Sequence, residues 1–108
     1  MKMRIVFDKE YDIPNGLYQV KVRELEFDEE LQNVLNGIDP AVKIEENDVP
    51  LSELKERVFE LQSRDEAEKL MGEIRGALVE ALSGIIARFK EAQSFNGSVS
   101  YEIDFNEL

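Results

Sequence analysis

Nine carboxylates fall between residues 24 and 48: Glu24, Glu26, Asp28, Glu29, Glu30, Asp39, Glu45, Glu46 and Asp48, with Lys43 as the single base among them. Carboxylates at this density hold a cation, present a negative surface to a basic partner, or keep a surface solvated. The first use is poorly supported, because the D-x-D-x-D-G spacing of a calcium loop is absent, and no metal site is expected. The second steers association by charge complementarity, and its extreme form is a mimic of nucleic-acid phosphates that fills a basic groove. The whole chain carries 24 acidic and 13 basic residues, a net charge of −11. That balance opposes direct binding to nucleic acid, since phosphate contacts need a positive surface. Lys2, Arg4, Lys21 and Arg23 form a small basic group, but few aromatics accompany them for base stacking.

The chain has neither histidine nor cysteine. The commonest general base near neutral pH and the commonest transition-metal ligands are therefore missing. Ser-His-Asp and Cys-His catalytic groups are excluded on the same ground. Ser52-Glu53-Leu54-Lys55 matches S-x-x-K, but the companion motifs of that enzyme class, S-D-N and K-T-G, are absent, and Ser52 stands where a helix would be capped. The glycines at 72, 76 and 84 lie inside a helical pattern and so do not form a phosphate loop. Tyr11, Tyr18 and Tyr101 read as sheet residues. The expectation is a protein without enzymatic activity or cofactor. Absence of cysteine suits a reducing cytoplasm, the start MKMRIVFDKEYD lacks a signal-peptide core, and no apolar run is long enough to span a membrane.

The elements that position these residues follow from periodicity. A chain of 108 residues fits one domain over residues 1–108. Met3, Ile5 and Phe7 alternate with polar neighbours, Pro14-Asn15-Gly16 signals a turn, and Tyr18, Val20 and Val22 alternate again, predicting an antiparallel hairpin. Leu25 and Phe27 have the opposite parity to Val22, which calls for a bulge near residues 23–25 or a bend ending the strand. Asp28 is placed to cap a short helix over residues 29–36. Residues 38–50 read as a connection, with Val42 and Ile44 as a short edge strand at most. Leu51, Leu54, Val58 and Leu61 predict a helix over 51–62. Ser63-Arg64-Asp65-Glu66 has the form of a capping box before a long helix over 64–93, whose core face is Leu70, Ile74, Leu78, Ala81, Leu82, Ile85 and Phe89. Val99, Tyr101, Ile103 and Phe105 alternate with Ser98, Ser100, Glu102 and Asp104, predicting a C-terminal strand. The expected fold is α+β in the order β-β-α-α-α-β: an antiparallel sheet of the N-terminal hairpin plus the C-terminal strand, packed against the long helix.

The run GALVEALSGIIA at residues 76–87 bears one charge, Glu80, and makes that helix apolar or small on both sides. With Ile74 at the centre of the core face, Gly72, Gly76, Ser83 and Ala87 fall opposite it, flanked by Val79 and Ile86. A helix buried all round has a second partner, either the 51–62 segment or another molecule. The expected function is a cytoplasmic protein-binding or regulatory module, homodimeric through the long helix. The alternative is a small acidic inhibitor that blocks a basic nucleic-acid-binding protein, as an immunity protein or an anti-restriction or anti-CRISPR mimic would.

Overall fold

The long hairpin is made by β1 (Met3–Asp12) and β2 (Leu17–Phe27), in a computed structural model that describes residues 1–107. Its turn uses the residues that the sequence marks. The Gly16 N–H donates to the Asp12 carbonyl at 2.8 Å, and Asn15 Nδ2 donates to Asp12 Oδ2 at 2.7 Å. Gly16 takes φ +64°, a conformation without penalty for a residue lacking Cβ. The parity conflict is resolved by a bulge: Val6 faces Glu24, Phe7 faces Val22, and Arg23 is the extra residue. Leu25 and Phe27 thereby return to the core side.

Asp28 caps α1 (Glu29–Val34), with the Leu31 N–H donating to Asp28 Oδ1 at 2.9 Å. The next twenty-odd residues depart from expectation. Residues 41–50 form a second hairpin, β3 (Ala41–Ile44) and β4 (Asn47–Pro50), whose Val42, Ile44 and Val49 are buried. The predicted helix over 51–62 does not form. Residues 51–56 make a 3-10 turn that buries Leu54, and β5 (Val58–Leu61) adds to the free edge of β2. The i, i+3 spacing of Leu51 and Leu54 suits a 3-10 turn as well as an α-helix. For Val58, Phe59 and Leu61, β-branched and aromatic types paired with β2 prevail over helical periodicity.

The capping box starts α2 (Arg64–Phe95). The Glu66 N–H donates to Ser63 Oγ at 3.2 Å, while Glu66 Oε2 accepts from the Gln62 N–H at 3.3 Å. Its buried residues, Ala67, Leu70, Ile74, Leu78, Leu82 and Ile85, follow the expected face, with Ala81 and Phe89 half-buried. The first half of α2 lies over β2, β5 and the second hairpin. Further along, Leu82 and Ile85 meet Leu31, Val34 and Leu35 of the α1 region.

The protein is thus α+β, an antiparallel sheet in the order β1-β2-β5 beside a long helix. The third strand is β5, and the expected C-terminal strand is not formed: residues 97–104 have no strand partner, and residues 105–107 make a 3-10 turn. The reason is geometric. A 32-residue helix is about 48 Å long. It runs past the domain, so residue 96 emerges beyond Phe89, the last residue of α2 in the packed clusters.

Candidate interaction site

The acidic residues divide into two groups. Near the start of α1, the amino group of Met1 lies 3.4 Å from Glu30 Oε2 and 3.7 Å from Asp28 Oδ2, and Glu24 pairs with Arg4 at 3.2 Å. Glu26 and Glu29 stay exposed. The cap bond from Leu31 lowers the Asp28 carboxyl below the usual range, aided by the nearby amino terminus. Glu45, Glu46 and Asp48 belong to the other group, at the β3–β4 turn. No hydrogen bond or ion pair joins the two groups among the described residues, nor does any set of three or more acidic ligands converge there as a metal site.

The β3–β4 turn is unusual. Glu45 and Glu46 both have positive φ, +49° and +66°, where asparagine and glycine are the ordinary occupants. The turn is tethered to α2: the Glu45 N–H donates to Glu73 Oε1 at 3.1 Å, and Asn47 Nδ2 donates to the Glu45 carbonyl at 3.1 Å. Asp39 is taken up by Ser52, whose N–H and Oγ donate to its two carboxylate oxygens at 2.9 and 2.6 Å. These bonds, the hydroxyl's foremost, lower the Asp39 carboxyl. The Ser52 hydroxyl is thus engaged as a donor to Asp39. The basic group on the hairpin is partly neutralised as well, Arg4 by Glu24 and Arg23 by Asp8 at 3.3 Å.

The small-residue side of α2 is open. Gly72, Gly76, Ser83 and Ala87 are exposed, as is Val79, and a Cβ added at Gly72 or Gly76 would meet nothing within 4 Å. Residues 51–56 pack instead on β2 and β4, so burial of this side by the 51–62 segment is overturned. Ile86 does not belong to the open side, because it packs beside Leu31, Val34 and Leu35. A shallow groove of about 550 Å³ runs from Gly76 and Ala77 to Lys43 and Glu46 of the second hairpin.

Among the described residues, none beyond Phe89 joins a packed apolar cluster. Every residue from 90 to 106 is exposed, and Phe95, Val99, Tyr101, Ile103 and Phe105 are each 68–86% exposed. This is the surface that sequence reasoning misplaced, since its alternation is the signature of a half-buried strand. No helix of the described residues is long and apolar enough to cross a membrane. No family model, curated protein or solved structure matches the chain.

Proposed function

We propose that this chain is a non-enzymatic protein-binding module that acts as a homodimer assembled along α2. The observation that carries this reading is the unpartnered surface of the helix and of the residues following it. Full burial of one large apolar side chain contributes about 1.5–3 kcal/mol, so five such side chains in water are a large loss for a domain this small. The open glycine and serine positions of α2 would admit a second helix at close range. A cytoplasmic setting belongs to the same reading and rests on the absence of cysteine.

Sedimentation equilibrium tests it. The Gly76→Leu/Ser83→Leu variant should keep its helical circular dichroism, because nothing in the fold occupies the space at Gly76. Self-association should weaken by about tenfold or more, equivalent to ~1.4 kcal/mol. Unchanged association would remove this face from the interface.

A second reading, an acidic inhibitor of a basic nucleic-acid-binding protein, draws on the Glu45–Glu46 turn. Residues in rarely populated backbone conformations cluster at binding sites, and both side chains are exposed. Glu45→Gln/Glu46→Gln should then weaken salt-sensitive binding to polylysine. If binding and salt slope match the wild type, the turn is not an electrostatic contact.

A further inference from the structure

We infer that residues 98–104 of one copy add as an antiparallel strand to the open edge of β1 in a second copy, which reciprocates. This deepens the homodimer reading and rests on it.

β1 is the edge of its sheet, and the core is unfinished along it. Val20 and Val22 of β2 are 0% exposed, whereas Met3, Ile5 and Phe7 of β1 are only half-buried. The backbone on that edge is available too. The Asp28 N–H donates to the Lys2 carbonyl at 2.9 Å, so the peptide groups of Lys2 and Arg4 point toward β2. Those of Met3 and Ile5 therefore point outward, and such an edge is a template for another strand.

Residues 98–104 have the matching pattern. Laid antiparallel, with Tyr101 opposite Ile5 and Val99 opposite Phe7, they extend the apolar face of β1. The same register sets Glu102 opposite Arg4 and Asp104 opposite Lys2 on the polar face. A slip of one residue would turn every apolar side chain outward, and a slip of two would lose one of the two charge pairs. The Asn106 N–H donates to Asp104 Oδ1 at 2.9 Å, which turns the chain just where the charge pairs end.

A second copy is the occupant because each chain offers both an unpaired alternating segment and an open edge at the 10-residue β1, whereas β5, the other edge of that sheet, has only 4 residues. This is the self-complementary arrangement of a closed dimer. The same chain's own edge is not served, since α2 stays helical to Phe95 and carries the segment past the domain. Area is adequate as well. Phe95, Tyr101 and Phe105 bury about 150–250 Å² each when covered, against about 800 Å² per partner for a standard interface, and the strand backbone and the open side of α2 add to that.

The chain has no cysteine, so introduced pairs report cleanly. Arg4 and Glu102 would form a non-hydrogen-bonded pair, with side chains close enough for a disulfide. Arg4→Cys and Glu102→Cys, prepared separately, mixed and oxidised, should give a disulfide-linked heterodimer. An Asp8→Cys and Glu102→Cys mixture, out of register, should not. Tyr101→Asp/Ile103→Asp should weaken self-association at least tenfold with unchanged circular dichroism, both residues being exposed in the single chain. A wild type that dimerises without the in-register cross-link, and whose dimer survives Tyr101→Asp/Ile103→Asp, would overturn strand addition while leaving the homodimer reading intact. A monomeric disulfide in the Arg4→Cys/Glu102→Cys double variant would overturn it in favour of an intramolecular return. A wild type that stays monomeric would overturn both.

Discussion

At Asp28 and Asp39, single carboxylates carry local structure, and their pKa values are lowered by the N–H and O–H groups that they accept from. A carboxyl whose folded pKa is depressed stabilises the fold above its unfolded pKa, and that contribution fades as pH falls through the folded value. The denaturation midpoint should therefore hold steady above about pH 5 and decline below about pH 4. Asp39→Asn should flatten part of that decline; an acid profile parallel to the wild type would deny Asp39 this role. Glu46 is the opposite case, a side chain in a backbone conformation that it disfavours. Glu46→Gly should raise stability by about 1 kcal/mol in urea melts, and a loss would mean that the Glu46 side chain makes compensating contacts. The Asp28 cap was readable from the sequence, because it depends on neighbours within four residues. The Ser52–Asp39 clamp was not, since thirteen residues separate its members.

Among the elements, those with local punctuation were legible: the Pro14-Asn15-Gly16 turn, the Ser63 cap, and the bulge implied by Leu25 and Phe27. The second hairpin was hidden because its turn uses Glu45-Glu46, where Asn-Gly would have announced it. β5 was hidden because Leu51, Leu54, Val58 and Leu61 satisfy helical spacing, and only the free edge of β2 makes residues 58–61 a strand. The C-terminal alternation reads as a strand, but residues 97–104 form none, because α2 stays helical to Phe95 and carries them past the sheet. Helix α2 supplies a prediction at this scale. Gly84 is exposed, outside the proposed interface, and surrounded by open space, so Gly84→Ala should stabilise the chain by about 0.5–1 kcal/mol. A fall in melting temperature would indicate a close neighbour at Gly84 in the assembled protein.

As a whole the molecule is elongated, 88 × 26 × 18 Å with a radius of gyration of 21.4 Å. A compact domain of this length has a radius near 13 Å. The excess comes from the end of α2 and the residues after it, of which residues 90–106 are all exposed. Charge is uneven at this scale: nine of the 24 acidic residues lie between residues 24 and 48, the 76–87 stretch carries only Glu80, and Glu102 and Asp104 punctuate the C-terminal alternation. The measurement that bears most directly on the account is the mass in solution across a dilution series. Sedimentation equilibrium should find twice the 12.4 kDa chain mass at micromolar concentration, falling toward the single-chain value on dilution. A mass of 12.4 kDa at every concentration would contradict it.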